Sequence, residues 1–396
     1  MLEANVVGIE RREVVKVATQ LPATSWPNGH LLDLLKIEHP LIQAPMGLHT
    51  SPAMPVAVSR AGGLGSFPCS AFTPAQLRDV VGKICAQTDG SLNLNFFSHA
   101  SRRDPVLEAA WLKQLAPYYA EFGIDPPTVL ASGRPPFGAE MCDVVVELKP
   151  RVVSFHWGLP ESSLVNRLKA AGCMIFSSAT TVAEARWLED HGVDAVIAQG
   201  LEAGGHRGMF LTTDLASQLG TLALVPQVVD AVKVPVIAAG GIADGRGIAA
   251  MLGLGAAAVQ MGTAYLLCPE ATTSSYGRAA LKSAKDNVSV LSNVLTGRPA
   301  RVFVNRIVRE VGPLAAGAPP FPLGIAALEH LRAKAESQGS SDFSGLYGGQ
   351  GAALGRELPA GELTLAFAKE ALERIRATSP SSREAAVVSM SDVIGR

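Results

Sequence analysis

The stretch "VPVIAAGGIADGRGIAAMLGLGAAAVQMGT", Val234 to Thr263, carries the unit from which the fold is built. An apolar run ends in Gly240 and Gly241, a segment with apolar residues at three- and four-residue spacings follows, and a second apolar run ends in Gly262 and Thr263. Runs that are apolar on both faces are strands of a parallel sheet covered on both sides. The intervening spacing predicts a helical crossover.

The same unit recurs along the chain. The strand-like runs are "LIQAPM" (41–46), "GLGSF" (63–67), "LNLNFF" (92–97), "VVSFHWG" (152–158), "CMIFSSA" (173–179), "AVIAQG" (195–200), "VPVIAAGG" (234–241) and "AAVQMGT" (257–263). Helix-compatible segments such as "TPAQLRDVVGKICAQ", "SSLVNRLKAAG" and "TVAEARWLEDHG" lie between them. Eight such units predict an α/β fold of the (β/α)8 TIM-barrel type. A doubly wound open sheet satisfies the same periodicity. The glycine turns after the seventh and eighth runs favour the barrel, because its phosphate pocket commonly forms there.

Two regions depart from the alternation. Residues 98–151 hold Pro-rich and aromatic text in place of a simple crossover, and residues 275–345 follow the eighth run with Ser-rich, Ala-rich and basic helical text. The expected organisation is an N-terminal extension (1–30), a barrel (31–274), a helical insertion domain (275–345), a return to the barrel with a closing helix (346–378) and a C-terminal tail (379–396).

Composition narrows the partners. The chain has 396 residues, 48% of them hydrophobic, and 34 basic residues balance 35 acidic ones for a formal charge of -1. A large core is affordable, and no global field favours nucleic acid or an anionic membrane. A small-molecule substrate is the expectation. Five scattered cysteines without CxxC spacing suggest neither a disulfide frame nor a zinc knuckle. With no secretory-type apolar run near residue 1 and no apolar stretch of about 20 residues, a cytoplasmic location and no membrane span are expected. No HxxxH, Cys/His cluster or carboxylate pair at ligand spacing calls for a metal. Monomer and homodimer are equally compatible with the sequence.

In a barrel, the loops after the C-terminal ends of the strands build the active site. Gly240, Gly241 and Gly262 lack the β-carbons that would keep an anion from backbone N–H groups, and Thr263 adds a hydroxyl. Either turn alone is compatible with an ordinary tight βα connection. In "QAPMG", Pro45, Met46 and Gly47 lay a plain backbone suited to one face of a flat ring. Asn93 and Asn95 share one strand face by the period of two and would point into the barrel mouth. In "AVIAQGLEAGGHRG" (195–208) a buried run breaks into a loop of small residues that presents one imidazole, His206. His156, in "SFHWGLP", is either a hydrogen-bonded core histidine or a group facing the same cavity. Glu202 is a candidate for orienting the His206 ring, while His49, His99 and His191 are taken as structural or exposed.

The ordered set "LIQAPMG", "AGGLGSF", "LNLNFFSH", "SFHWGLP", "AQGLEAGGHRG", "AAGGIADGRG", "QMGTAYL" and, after the insertion, "YGGQG" resembles the nitronate monooxygenase family, formerly 2-nitropropane dioxygenases, and its class I branch most. The resemblance implies an FMN-binding barrel with a helical insertion. It places the FMN phosphate on Gly240, Gly241, Gly262 and Thr263, with Gln260 and Met261 leading into the second turn. The isoalloxazine and ribityl chain would meet Pro45, Met46, Gly47, Asn95, Gln199 and Gly204, with Asn93 as a neighbour and Gln350 closing over the flavin. The family's catalytic histidine falls on His206, with His156 as a second polar contact in the substrate pocket. The implied reaction is oxidation of an alkyl nitronate, propionate 3-nitronate first, by FMN and O2 to an aldehyde or ketone and nitrite. A flavin reductase using NAD(P)H on the same scaffold, of the enoyl-acyl-carrier-protein or quinone type, shares these glycine motifs. A flavin-binding barrel without turnover is a more distant alternative.

Overall fold

The computed structural model describes residues 26–100, 103–130, 135–284 and 289–378. The expected C-terminal tail, and all but the last residues of the N-terminal extension, lie outside them. The described strands are β1 (Leu41–Gln43), β2 (Gly65–Pro68), β3 (Leu92–Phe97), β4 (Val152–His156), β5 (Met174–Ala179), β6 (Ala195–Gln199), β7 (Gly205–His206), β8 (Val236–Ala239), β9 (Ala258–Met261), β10 (Ser289–Ser292) and β11 (Ala300–Phe303). Eight of them form one parallel sheet in the order β1-β9-β8-β6-β5-β4-β3-β2. A parallel bridge between Ile42 and Leu64, with Leu64 N–H donating to Leu41 O at 2.9 Å and Gln43 N–H to Leu64 O at 3.0 Å, joins the two ends. The sheet is therefore a TIM-type barrel rather than an open doubly wound sheet.

Alternation along the strands sorts the residues. Val196, Ala198, Val236, Ala238, Val259 and Met261 belong to the core shared with the outer helices, whereas Ala195, Ile197, Ile237, Ala239 and Ala258 fill the barrel lumen. The helix His30–Leu35 adds Leu31, Leu32 and Leu35 to that lumen cluster. Towards the strands' C-terminal ends the inward positions are polar, and Asn95, Ser154, Ser178, Gln199 and Gln260 line a cavity there. Buried polar groups need partners, so the change from apolar to polar marks the functional end of the barrel.

The closing helix Ala360–Thr378 packs against the helices Gly245–Gly253 and Ala53–Arg60. A Cβ on Gly245 would lie 2.3 Å from Cβ of Glu370, so this approach admits only glycine.

The segment expected to be a helical insertion contains strands as well as helices. β10 and β11 are antiparallel, and β11 pairs with β7, matching Ala300 with His206 and Arg301 with Gly205. Helix-like spacing around these short strands hid them from the sequence. Nor is the insertion separate from the 98–151 region: Trp111, Leu115 and Tyr119, on the helix Pro105–Glu121, share a core with Val294, Val302, Leu328, Leu331 and Phe343. Tyr119 closes this packing by donating its hydroxyl to Ala327 O at 2.7 Å.

Candidate active site

A cavity of about 540 Å³ opens at the C-terminal end of the barrel, between the strand ends and the insertion. Its size is in the range of small-molecule and cofactor sites, roughly 300–1,000 Å³. Pro45, Met46 and Gly47 line it after β1; Asn95, His156 and Gln199 line it from β3, β4 and β6; Gly204 and His206 line it from the following loop. Gly240 and Gly241, after β8, and Gln260, Gly262 and Thr263, at and after β9, complete this part of the wall.

Three expected members sit elsewhere. Asn93 lies one inward layer below the mouth, where its amide N–H donates to Ser66 Oγ at 3.0 Å. Met261 alternates with Gln260 and faces the outer helices, with its carbonyl accepting from Ala44 N–H at 2.9 Å. Gln350 is exposed, and the wall in its segment is made by Gly348, Gly349 and Gly351. Its backbone N–H donates to Glu202 O at 2.9 Å, holding the "YGGQG" segment against the loop that carries His206.

The wall has the features of an anion and ring site. Gly240 and Gly241 adopt φ of 118° and 69°, and a Cβ on Gly240 would lie 2.8 Å from Thr221 Oγ1. Among the described residues, the N–H groups of Gly241, Gly262 and Thr263 donate to no protein acceptor. Gln260 Oε1 is buried beside the cavity and also lacks a partner. Donors and an acceptor left unmatched by protein in one cavity call for a ligand or ordered water.

His206 is held from three sides. Its carbonyl accepts from Gln199 Nε2 at 2.9 Å and from His156 Nε2 at 3.2 Å, and its Nε2 lies 3.0 Å from Thr296 Oγ1. Phe97, Trp157, Phe321 and Tyr347 surround the ring with centroids 5.3 to 6.2 Å away. Thr296 and Phe321 come from the insertion, where no local motif announced them. Tyr347 is the first residue of "YGGQG" (347–351), which follows the insertion.

Both of the alternatives for His156 hold. It lines the cavity, yet both ring nitrogens are engaged by protein, with Ser178 Oγ 2.9 Å from Nδ1. Because a carbonyl can only accept, Nε2 carries the proton and Nδ1 accepts from Ser178. Burial pushes its pKa down to about 3, so the ring stays neutral.

Glu202 does not orient His206. Its carboxylate accepts from Thr221 N–H at 2.8 and 2.9 Å and from Thr221 Oγ1 at 2.7 Å, at the start of the helix Thr221–Ala231. A helix N-terminus attracts a carboxylate strongly enough to take it away from a loop imidazole. His49 also differs from expectation. It lines the cavity, burial lowers its pKa, and its buried Nδ1 has no protein partner among the described residues. His99 packs edge-on to Trp157 and Phe321, and His191 stacks on Trp187 at 3.7 Å.

Three arginines lie around the His206 loop, and among the described residues none of them has a carboxylate within ion-pair distance. Arg207 donates to Gly200 O, Gln199 O and Gln218 Oε1, and Arg301 to Leu201 O and Ser289 O. Arg298 donates to Met209 O at 3.3 Å and lies 4.4 Å over the Trp157 ring. Desolvation lowers the pKa of all three, that of Arg207 and Arg298 to about 10, so they remain cationic at neutral pH. The nearby carboxylates of Glu184 and Glu202 offset part of this lowering, Glu202 and Glu184 acting on Arg207, Glu184 on Arg298 and Glu202 on Arg301. Among the described residues, no helix is long and apolar enough to cross a membrane.

Comparison with known proteins is consistent over the whole described chain. A family model described as nitronate monooxygenase matches residues 28–370. A nitronate monooxygenase of Pseudomonas aeruginosa is 43% identical over 343 residues, covering 85% of this chain and 97% of that protein. One from Paraburkholderia phytofirmans is 40% identical, covering 87% and 95%. Among solved structures, nitroalkane oxidase from Streptomyces ansochromogenes superposes with a TM-score of 0.81 at 36% identity, covering 88% of this chain and 99% of its own. FabK from Thermotoga maritima gives 0.64 at 28% identity, with 87% and 96% covered.

Proposed function

The chain belongs to the nitronate monooxygenase family, and from that premise we propose that it is an FMN-dependent enzyme that oxidises alkyl nitronates with O2. The products are an aldehyde or ketone and nitrite, and propionate 3-nitronate is the first substrate to test. The observation that carries this reading is that, among the described residues, the backbone N–H groups of Gly241, Gly262 and Thr263 are left unmatched by protein in the same cavity that His206 lines, which suits an anionic group of a cofactor beside the imidazole. A nitronate is an anion with its charge on two nitro oxygens and the α-carbon.

The residues present fit FMN. Gly240, Gly241, Gly262 and Thr263 would hold its phosphate through backbone N–H groups and the Thr263 hydroxyl. Pro45, Met46, Gly47, Asn95, Gln199, Gly204 and Gln260 would meet the ring and ribityl chain, with the unpartnered Gln260 Oε1 available as an acceptor. When bound, FMN supplies the electron acceptor for the nitronate and the centre at which O2 is reduced.

The protein's part is to bind, orient and exclude water. The His206 imidazole hydrogen-bonds the nitro group of a nitronate when the ring is protonated or, when neutral and given a neutral nitroalkane, accepts its α-proton. Phe97, Trp157, Phe321 and Tyr347 keep bulk water from this ring and strengthen its interaction with charge. His156 and Gln199 hold the backbone that carries it.

The test is direct. Purified protein should release FMN on denaturation, and His206→Asn should keep the flavin while turnover of propionate 3-nitronate falls by about a hundredfold or more, as for loss of an acid-base group. Release of no flavin, or wild-type turnover in the variant, would overturn the proposal.

A further inference from the structure

We propose that Thr296 is a positioning residue that sets the tautomer of His206, holding its proton on Nε2 so that the lone pair of the neutral ring resides on Nδ1. The proposal concerns the same site as the reading above and rests on it for its chemical consequence.

Hydrogen-bond accounting at one hydroxyl carries the inference. Thr296 is 1% exposed, and its Oγ1 has three polar neighbours: Arg298 O at 3.1 Å, Arg298 N at 3.3 Å and His206 Nε2 at 3.0 Å. A hydroxyl has one proton and two lone pairs. Arg298 O can only accept, so it takes the Thr296 proton. Arg298 N–H can only donate, so it takes one lone pair. The remaining lone pair faces Nε2, which must then be N–H. The opposite tautomer would set two lone pairs against each other or strip Arg298 O of its donor, at a cost typical of an unmet buried hydrogen bond.

The turn that presents Thr296 is fixed independently of the ring. Gly297 has φ of 91°, and a Cβ there would lie 2.0 Å from Pro319 O. Arg207 N–H donates to Pro299 O at 2.8 Å, and Ala300 pairs with His206 itself. The insertion thus grips both the backbone and the imidazole of a residue that the barrel loop supplies.

The consequence is chemical. With Nε2–H given to Thr296, Nδ1 is the atom that takes the α-proton of a neutral nitroalkane, while the C–H electron pair delocalises onto the nitro oxygens. The resulting imidazolium keeps Nε2–H on Thr296 and donates through Nδ1 to the nitronate. Thr296 itself touches no substrate.

The experiment is 15N NMR of histidine-labelled protein at a pH where the rings are neutral, with the His206 signals assigned through His206→Asn. Wild type and Thr296→Ser should show protonated Nε2 and unprotonated Nδ1, whereas Thr296→Val should show mixed tautomers. With 3-nitropropionate, whose nitroalkane group is neutral, kcat of Thr296→Val should fall about tenfold, the rate equivalent of one modest hydrogen bond, and Thr296→Ser should recover most of it. Protonated Nδ1 in wild type, or a Val variant with unchanged spectrum and kcat, would overturn the proposal. The tautomer is read without turnover, so failure of the nitronate reading would leave this result standing.

Discussion

His156 donates its Nε2–H to the carbonyl oxygen of His206 at 3.2 Å, so one imidazole of the cavity holds the backbone of the other. The donor is on the fourth strand of the barrel, and the acceptor is paired to a strand of the insertion. Together with Gln199, whose Nε2 reaches the same oxygen, it ties a glycine-rich loop to the sheet.

Replacing His156 by Phe removes that donor and leaves Ser178 without its acceptor. Folding stability should fall by about 1–3 kcal/mol, the cost of unmet buried polar groups. Turnover should drop more than flavin content, because the His206 backbone loses one of its two side-chain anchors. Urea unfolding and steady-state rates on the same preparation check this, and equal loss of flavin and rate would contradict it.

Acid should destabilise the protein through the same residue. His156 titrates near 3 in the fold against an ordinary 6.5, and His39 and His49 are also lowered by burial. Below about pH 6.5 the unfolded chain binds protons that the folded chain refuses. The stabilisation is complete above that pH and is lost as pH falls towards 3, at up to about 1.4 kcal/mol per pH unit for each such group. Urea midpoints measured from pH 7.5 down to pH 5 should fall steadily, and His156→Gln should flatten the slope. A slope unchanged by that substitution would contradict the assignment.

Gly204 makes a third test. A Cβ there would lie 2.6 Å from Gly349 N and 2.8 Å from Gly348 C, both rigid backbone. Gly204→Ala should therefore push the "YGGQG" segment away from the His206 loop and release flavin during gel filtration. Gly205→Ala meets no atom within 4 Å but must hold φ of 75°, so it should reduce stability with a smaller effect on flavin retention. Equal retention in both variants would contradict this account of the contact.

Much of this architecture was legible because each signal was local. The period of two placed Asn93 and Asn95 on one inward face, Gly-Gly and Gly-Thr at strand ends marked the glycine turns, and the family resemblance pointed to Gln199 and Gln260. The same period separates Gln260 from Met261, which faces the helices, and a register count would have shown that Asn93 sits one layer too deep. What was hidden depends on contacts across long stretches of chain. Thr296 lies 90 residues from His206, and the pairing of Gly205–His206 with Ala300–Arg301 has no sequence period to announce it. Glu202 was misread because capping of a helix at Thr221 outcompetes a nearby imidazole, a choice that spacing alone does not reveal. His49 looked like a turn residue, yet the short helical turn Gly47–His49 brings it back to the cavity.

Oxygen consumption by the FMN-loaded protein given propionate 3-nitronate, with nitrite assayed in the same vessel and NADH oxidation measured beside it, tests the central claim. The predicted result is oxygen uptake with nitrite release and little NADH consumption. Brisk NADH oxidation without nitrite would contradict it and assign this cavity and its histidine to a reductase.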